Sequence, residues 1–523
     1  MFFWQYDIES GGLLLNPNLK ETKCLTLHET RPVWANELNR KGYDKVFDYD
    51  KNAENPICWR EASYLYYRGR RIGKIAAPRT GLETVDHFTK YDNAPRELVE
   101  VDLQTQAQAN EFALNKMLET TSQRLLDTLK QEGFDKVSVS YSGGKDSDAL
   151  LEVVLKTLPP EKIIVLFGNT GMEFPTTYKH VKDKFAYLTS LGIECHECSC
   201  PLPVEDTWRL FGAPSRTRRW CCSVHKACQN QRWILQHKEK LLTLVGVRAS
   251  ESLKRSKYDF IDRGTKSFGS ISFYPILDLS SAEIWTLLLS KPVNFNEAYK
   301  LGLRRVGCLI CPMGGVTVDL ESIQLFPNEA NKFISLINAN EEGFTQAFEN
   351  GMWRARRGAR NMSMENKFAR DKYKNGMLLV SKTPRDKVES WLKVFSKTSF
   401  QNDSVIAEFQ GCSFESKVYY KDNHFCLFTP NLTGSKKYES VLYKILSRAA
   451  YCVGCGVCES QCVRGAIIID RNGYATIDES SCVHCYHCID KYCLRFESLY
   501  LPKEQRKDLL QLGIDLVENK TNE

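Results

Sequence analysis

A glycine-rich stretch near residue 145 has the composition of a phosphate-binding loop. It reads Ser142, Gly143, Gly144, Lys145, Asp146 and Ser147. Adjacent glycines let backbone N–H groups approach an anion closely, and the lysine adds a mobile positive charge. The glycines directly precede the lysine, so the spacing is not that of a Walker loop. We expect Lys145 and Asp146 to be catalytic, the aspartate by helping to hold Mg²⁺; the alternative is an ordinary glycine turn with a solvated lysine.

Two runs of cysteines near the C-terminus have the spacing of bacterial ferredoxins, CxxCxxCxxxC and CxxCxxCxxxxC. In that pattern the fourth cysteine of each run ligates the other cluster. The runs therefore predict two [4Fe-4S] clusters, the first held by Cys452, Cys455, Cys458 and Cys493 and the second by Cys482, Cys485, Cys488 and Cys462. Val463 and Leu494 replace the usual proline, and the second run is longer by one residue. Zinc at these thiolates is the alternative.

The elements around the glycine-rich loop predict how it is positioned. A β-branched run at 137–141 predicts a buried strand, and the apolar periodicity after the loop predicts a helix. Further strands are expected at 162–167, 193–198 and 241–247, with helices at 106–132 and 176–190. The apolar positions of the first helix are Phe112, Leu118, Leu125, Leu126 and Leu129. This alternation predicts an α/β fold with a doubly wound, mostly parallel sheet. Ligands of such sheets lie at the carboxyl ends of the strands, where the loop falls.

Five ordered motifs around these strands resemble the phosphoadenosine phosphosulfate (PAPS) reductase family of PP-loop ATP pyrophosphatases. Besides the loop they are Asn169–Pro175, Arg219–Cys222 with Lys226, Gly246–Arg248 with Glu251 and Arg255, and Tyr299–Pro312. The resemblance covers about residues 135–315 and implies ATP or PAPS as the bound adenine nucleotide. It implies that Arg248 is catalytic and adds to the phosphate-binding loop the residues Thr170, Gly171, Lys226, Gly246, Arg248, Glu251 and Arg255. Arginine forks suit phosphate and sulfate.

A third cysteine set resembles the ligands of the cluster-bearing adenylyl-sulfate reductases. It consists of Cys221, Cys222, Cys308 and Cys311. The resemblance implies a third [4Fe-4S] cluster, and the alternatives are zinc at the same residues or uncoordinated core cysteines. Cys195, Cys198 and Cys200 are expected to be packing residues, with sulfur carriage by one of them as the alternative.

Length and composition predict several regions. A chain of 523 residues is too long for one core. We expect a small domain at 1–100, the PP-loop domain at 101–330, a helical or small α/β connecting region at 331–440, an α+β ferredoxin domain at 441–500 and a tail at 501–523. Basic stretches at 68–71 and 353–360 are either solvated or face an anionic partner. The first is expected at the tip of a hairpin over 64–75, and residues 384–448 predict a helix, three short strands and a helix.

Charge and cysteine content indicate which ligands and which cellular compartment we expect. The formal charge of +7 favours anionic ligands. No run of about 18 apolar residues predicts a membrane span, and the N-terminus does not read as a signal peptide. Twenty cysteines without an export signal favour metal or redox chemistry in a reducing, cytoplasmic setting.

Three functions follow from the resemblance. The loop is complete in its Gly-Gly-Lys-Asp form, and 510–523 has no counterpart of the Glu-Cys-Gly-x-His tail of sulfonucleotide reductases. We therefore expect an ATP-dependent, AMP- and pyrophosphate-forming sulfur transfer or thiolation enzyme. Its partners would be an external electron donor such as a ferredoxin or flavoprotein, a sulfur donor, and an acceptor that is a small molecule, tRNA or DNA. The alternatives are a sulfonucleotide reductase that releases sulfite and a non-catalytic electron-transfer subunit that binds nucleotide.

Overall fold

The computed structural model describes residues 2–19, 29–76, 87–237, 240–264, 270–339, 351–354, 365–430, 436–499 and 501–519. The chain forms two compact units. The first comprises Met1–Cys198, Glu239–Thr265 and Gly269–Asn331, and the second comprises Ser199–Lys238, Lys266–Phe268 and Lys332–Glu523. The second unit thus includes a segment from within the predicted PP-loop domain. Among the described helices, none is both long and apolar enough to cross a bilayer.

The N-terminal region contributes a hairpin and an antiparallel sheet to the first unit. Its elements are β1 (Phe2–Tyr6), β2 (Leu13–Leu19), β3 (Thr30–Val33), α1 (Ala35–Arg40), β4 (Cys58–Glu61), β5 (Tyr64–Tyr67), β6 (Arg70–Ala76) and β7 (His87–Lys90). Strands β3 to β7 pair in sequence order. The predicted hairpin at 64–75 is present, and its tip residue Arg68 donates to the carbonyls of Ile8 and Glu9. Arg68 therefore has a structural role in the turn.

The central region follows in the order α2 (Leu103–Glu132), β8 (Lys136–Tyr141), α3 (Lys145–Thr157), β9 (Ile163–Asn169), α4 (Pro175–Ser190), β10 (Glu194–Ser199), α5 (Val204–Phe211), α6 (Cys228–His237), β11 (Leu241–Val245), β12 (Ile261–Arg263), β13 (Ile271–Phe273), α7 (Ser281–Leu289), α8 (Val316–Leu325) and α9 (Pro327–Ala339). Helices α5 and α6 belong to the second unit.

The central sheet confirms the predicted α/β class. Its strand order is β10-β9-β8-β11-β13-β12, and β8 pairs in parallel with both β9 and β11. β11 also pairs in parallel with β13, whereas β12 is an antiparallel edge strand. Two residues predicted on the apolar face of α2, Phe112 and Leu126, are exposed. The other three predicted positions, Leu118, Leu125 and Leu129, are buried, and Leu114 lies with them on the buried face.

The second unit contains an antiparallel sheet and the cysteine-rich segment. Its C-terminal elements are β14 (Phe368–Tyr373), β15 (Gly376–Lys382), α10 (Arg385–Leu392), β16 (Ser396–Phe400), β17 (Ser404–Phe409), β18 (Cys412–Lys421), β19 (His424–Pro430), α11 (Lys436–Tyr451), α12 (Val457–Ser460), β20 (Ile467–Ile469), β21 (Ala475–Ile477), α13 (Leu494–Ser498) and α14 (Lys503–Asn519). The sheet order is β14-β15-β19-β18-β17-β16.

Both faces of this sheet are covered, which explains the continuous run of buried residues in β15. Leu379 of β15 lies in the core formed with α10, α11 and the cysteine-rich segment. Leu378 and Val380 point the other way and pack with Val517 of α14. For 384–448 three short strands between two helices were predicted, whereas the structure has four. Residues 355–360 of the predicted basic stretch lie outside the described residues.

Candidate functional site

The glycine-rich loop connects β8 to α3, as predicted. Gly143 has a φ of +68°, and a Cβ at this position would lie 2.9 Å from Thr177 Cγ2. Gly144 precedes the first turn of α3. Its N–H donates to the Ser147 hydroxyl at 3.2 Å, and that hydroxyl donates to the Gly144 carbonyl at 2.7 Å. Glycine is therefore needed at 143 both for its backbone conformation and for space.

Two side chains from a later segment fix the loop backbone. The Tyr299 hydroxyl accepts a hydrogen bond from the Lys145 N–H at 2.9 Å. The Asn296 amide donates to the Gly143 carbonyl at 3.1 Å. Both side chains are buried, so these bonds are shielded from water. The loop is held in shape by the protein itself.

Four charged side chains form a chain of ion pairs at the loop. Lys145 Nζ lies 2.8 and 2.9 Å from the Asp146 carboxylate oxygens. Arg248 Nε donates to Asp146 Oδ1 at 2.6 Å, and Arg248 Nη1 lies 2.8 Å from Glu29 Oε1. Gly246 lets β11 approach, since a Cβ there would lie 2.9 Å from the Asp146 carbonyl oxygen. Acids and bases alternate, so each charge has a neighbour of opposite sign.

The pKa values of this network follow from burial and pairing. Burial lowers the pKa of Lys145 to about 8, with Arg248 acting in the same direction and Asp146 opposing. Burial alone would raise the pKa of Asp146, but Arg248 and Lys145 outweigh it and hold the pKa well below its usual range. Arg248 and Lys145 likewise outweigh burial at Glu29, whose pKa is lowered. The carboxylates are therefore held charged.

A buried carboxylate anchors the helix that follows the loop. Asp148, which is fully buried, accepts a hydrogen bond from the Tyr141 hydroxyl at 2.7 Å. His180 Nε2 lies 3.1 Å from both oxygens of Asp148, and Lys184 Nζ lies 3.8 Å from one of them. These contacts join β8, α3 and α4, so Asp148 anchors the helix that follows the loop.

The turn after β9 brings a cysteine to the same edge of the sheet. Gly171 has a φ of +71° and its N–H donates to the Asn169 side chain at 2.7 Å. The Thr170 hydroxyl lies 3.8 Å from Cys308 Sγ. Glu173 and Cys308 also form an isolated antiparallel bridge. Since β8 and β9 are parallel, this turn and the loop share the carboxyl edge of the sheet.

Two predicted phosphate-binding residues of the first unit, Glu251 and Arg255, form an ion pair with each other. The Glu251 carboxylate also accepts a hydrogen bond from the Arg248 N–H at 3.1 Å and forms an ion pair with Arg305. The structure therefore brings Gly246, Arg248, Glu251 and Arg255 together, and their roles in phosphate binding stay predictions. Lys226 lies in the second unit, on a π-helical turn at Cys222–Ala227, and its role in phosphate binding stays a prediction.

The first predicted cluster set is gathered around one cavity of about 180 Å³ in the second unit. Cys452, Cys455, Cys458 and Cys493 all line it. Burial, followed by the thiolates of Cys493 and Cys458, raises the pKa of Cys452. Burial and the same kind of neighbours raise the pKa of Cys455. Crowded, buried sulfur atoms of this sort fit a group that takes thiolate ligands.

The second predicted set is gathered in the same way. Cys462, Cys482, Cys485 and Cys488 line a smaller cavity. Burial raises the pKa of Cys488, and the thiolates of Cys458, Cys462 and Cys485 add to it. Buried Arg448 connects the two sets, because its Nε donates to Cys458 Sγ and its Nη2 to the Cys488 carbonyl, each at 3.2 Å. Each predicted set thus lines a cavity, and Cys488 lines both. The assignment of the eight cysteines to two clusters stays a prediction.

The third cysteine set is divided between the units. Cys308 and Cys311 are half-buried in the first unit, whereas buried Cys221 and exposed Cys222 lie in the second. A shared cluster at these four residues stays a prediction. Within the described residues, no group of three or more His, Cys, Asp or Glu side chains has the arrangement of a site for a metal ion.

Sequence reasoning missed two contributors to the site. Glu29 pairs with Arg248 from the N-terminal region, and no motif marks it because it lies outside the resembling segment. Asn296 holds the loop carbonyl but has no neighbouring pattern. Tyr299 was part of a predicted motif, which gave no role for its hydroxyl. Contacts between residues that are far apart in the sequence, such as these, are not marked by any local sequence pattern.

Comparison with known proteins matches residues 136–313 to the family model for the phosphoadenosine phosphosulfate reductase domain. This segment is a PAPS reductase domain. An uncharacterized protein of Methanocaldococcus jannaschii is 34% identical over 180 residues, 34% of this chain and 36% of the relative. A second one from that organism is 30% identical over 208 residues, 38% of this chain and 47% of the relative. The chain thus spans between about a third and a half of these relatives.

Sulfonucleotide reductases are also similar to the PAPS reductase domain. An adenosine 5'-phosphosulfate reductase of Geobacillus is 23% identical over 181 residues, 34% of this chain and 73% of that protein. Among solved structures, a Candida auris PAPS reductase covers 38% of this chain and 94% of its own at 18% identity, with a TM-score of 0.28. The U34-tRNA thiolase NcsA of Methanococcus maripaludis, solved with its [4Fe-4S] cluster, covers 43% and 78% at 16% identity, also with a TM-score of 0.28. Structural similarities with TM-scores this low do not bear on the family assignment.

Proposed function

We propose that the chain is an enzyme that activates an acceptor with ATP, releases pyrophosphate and AMP, and couples this activation to redox-dependent sulfur transfer or thiolation. The observation that carries the proposal is the complete loop, in which Lys145 and Asp146 are paired beside Arg248. The PAPS reductase domain at 136–313 supports an adenine nucleotide as the ligand.

The loop residues have separate tasks in this reaction. The positive end of the α3 dipole attracts the phosphates to the loop, while the Gly144 and Lys145 amides donate to Ser147 and Tyr299 and keep the loop in shape. Lys145 exchanges Asp146 for a phosphate oxygen, and Asp146 becomes available to hold Mg²⁺ on the pyrophosphate. An acceptor oxygen bonds to the α-phosphorus while the bond from that phosphorus to pyrophosphate breaks. Lys145 and Arg248 stabilise the charge that grows on the leaving oxygens. The outer sulfur of a persulfide donor then displaces AMP and forms a disulfide with the acceptor. Two electrons cleave this disulfide to the thiolated acceptor and the donor thiol.

The cysteine sets suit the supply of electrons to that reaction. When bound, [4Fe-4S] clusters would pass single electrons from an external ferredoxin or flavoprotein. Arg448 donates its Nε–H to Cys458 Sγ and is almost fully buried. A buried cation beside a thiolate ligand favours the more negative, reduced state of the group held there. Arg448 is thus placed to raise the reduction potential at the first set.

A second candidate function is reduction of a sulfonucleotide to sulfite. The similarity of the PAPS reductase domain to adenosine 5'-phosphosulfate reductases favours it. The cations Arg248 and Arg255 would then hold the sulfate and phosphate groups.

The two candidates differ in their products. Anaerobically purified, reconstituted protein is incubated with a reductant and, in separate reactions, ATP, PAPS or adenylyl sulfate, and AMP, pyrophosphate and sulfite are measured. Pyrophosphate from ATP supports the first function. Sulfite from either sulfonucleotide, with no pyrophosphate from ATP, supports the second. Lys162→Ala, a change on an exposed turn, serves as the control for Lys145→Ala.

A further inference from the structure

A cavity of about 570 Å³ lies beside the charge network in the first unit. It is lined by residues of the N-terminal sheet and residues of the PAPS reductase domain, including Glu29, Arg31, Arg60, Ser250, Arg304 and Arg305. Glu251, one of the predicted phosphate-binding residues, also lines it, whereas the loop at 142–147 and the cysteine sets do not. Small-molecule sites are typically about 300–1,000 Å³, so the cavity has the size of a metabolite site.

One guanidinium connects the cavity wall to the loop. Glu29 and Ser250 line the cavity, and both contact Arg248 Nη1, at 2.8 and 2.9 Å. The Nε of Arg248 donates to Asp146 of the loop at 2.6 Å. Arg248 is fully buried. Only the Arg248 side chain would therefore separate a ligand in the cavity from the loop that holds the nucleotide phosphates.

Positive charge exceeds negative charge around this cavity. The Glu37 carboxylate is shared by Arg31, at 2.6 Å, and Arg60, at 3.8 Å. Glu251 is shared by Arg255 and Arg305. Each of these carboxylates therefore serves two arginines, so the described charged groups around the cavity are more positive than negative.

Another carboxylate that lines the cavity is also shared by two cations, and one arginine of the wall has no such partner in the described part of the chain. Glu321 is shared by Lys41 and Arg40, at 3.6 and 3.8 Å. Arg304 has no carboxylate within ion-pair distance among the residues that the structure describes. Partial burial lowers the pKa of Arg304, and the nearby Arg305 and Arg31 act in the same direction against Glu29. A bound anion would relieve this crowding of cations.

We propose that this cavity binds the acceptor substrate, and that the acceptor is a small metabolite carrying a carboxylate or phosphate group. The N-terminal region, which had no assigned role, supplies Arg31 and Arg60 to this site. That the bound anion is the acceptor rests on the proposed function. That the cavity binds an anion does not. A tRNA or DNA acceptor is the competing class, and the size of the cavity favours a small molecule.

Binding of small anions to the nucleotide-loaded protein tests the site. The full chain, reconstituted anaerobically, is saturated with Mg²⁺ and the analogue AMPCPP, which cannot be cleaved between its α and β phosphates. Calorimetric titrations then follow with 3-phosphoglycerate, citrate and inorganic sulfate. We expect at least one anion to bind at one per chain. Arg304→Gln and Arg60→Gln should weaken that binding by at least about tenfold, the loss typical of a charge-assisted hydrogen bond.

A control variant separates loss of the anion site from a general loss of positive charge. Arg96→Gln changes an arginine of the same unit that is 80% exposed, and it should alter anion affinity less than twofold, while AMPCPP affinity should be unchanged in all three variants. The proposal fails if no anion binds, if both variants bind anions like wild type, or if the variants lose AMPCPP affinity instead. It also fails if the two changes weaken tRNA binding while leaving anion binding intact. Anion binding without any AMP formation would overturn the proposed function and leave the anion site standing.

Discussion

The loop of the first unit and the cysteine sets of the second present opposite electrostatic arrangements. At the loop, Lys145, Asp146, Arg248 and Glu29 alternate in sign, and each buried charge has a partner. In the cysteine sets, thiolates lie beside other thiolates, and their mutual repulsion adds to burial in raising the pKa of Cys452 and Cys455. Arg448 is a cation within that crowd.

The difference indicates which region depends on its ligand. A paired network can fold without nucleotide, because no isolated charge is left buried. Crowded thiolates are stable only when protonated or when bound to a metal centre. We therefore expect the loop to be formed before nucleotide binds, and the cysteine sets to depend on their clusters. Each change below alters one side of this comparison.

The largest effect is expected from Cys455→Ser in the first cysteine set. Loss of one thiolate should prevent that cluster from assembling and abolish product formation that depends on a reductant. AMPCPP affinity, measured by calorimetry, should stay within twofold of wild type, because the loop lies in the other unit. Cys412→Ser, at an exposed cysteine outside the sets, is the control. Full reductant-dependent turnover in Cys455→Ser would refute the internal electron supply.

Lys145→Ala should have the next largest effect. Removing a donor to the leaving oxygens from a dry site typically costs about 10²–10³ in rate, so AMP formation should fall by about that factor. Binding of AMPCPP should fall less, because the positive end of the α3 dipole remains. Lys162→Ala should leave both quantities unchanged. A rate within threefold of wild type for Lys145→Ala would remove this residue from catalysis.

Glu29→Gln should destabilise the first unit, because it leaves the buried Arg248 with one anionic partner fewer. We expect a loss of about 3 kcal/mol, the lower end for breaking a buried pair, seen as a thermal midpoint several degrees lower. The folded-state pKa of Glu29 lies below its ordinary 4.5. Its stabilisation is therefore complete above that pH and disappears as the pH falls through the folded-state value. The two proteins should differ at pH 7 and converge in acid; a constant difference would contradict this pairing.

The smallest expected change concerns iron content. Three [4Fe-4S] clusters would give about 12 iron and 12 acid-labile sulfide per chain. Changing Cys221 and Cys222 to Ser should lower both to about eight, with the ferredoxin-type sets intact. A wild-type value of about eight would remove the third cluster. One zinc per chain, lost in the variant, would reassign these cysteines to a structural site.

The sequence predicted those parts of the molecule that local patterns encode. The strand, loop and helix around Gly143 and Gly144 follow from residue types, and the pairing of Cys493 with the first run follows from ferredoxin spacing. Glu29 and the arginine-lined cavity could not be predicted, because they arise where the N-terminal sheet packs beside the loop of the same unit. Phe112 and Leu126 were placed on the buried face of α2 because periodicity alone does not show which neighbours cover a helix.

The most direct test of the central claim is the fate of [γ-³²P]ATP on the reconstituted protein with a reductant and a mixture of cell metabolites as the source of acceptor. We predict labelled pyrophosphate in equal amount to AMP, and its loss in Lys145→Ala. Labelled inorganic phosphate with ADP, or no ATP turnover in a preparation that converts PAPS or adenylyl sulfate to sulfite, would contradict the claim that this loop splits ATP between its α and β phosphates.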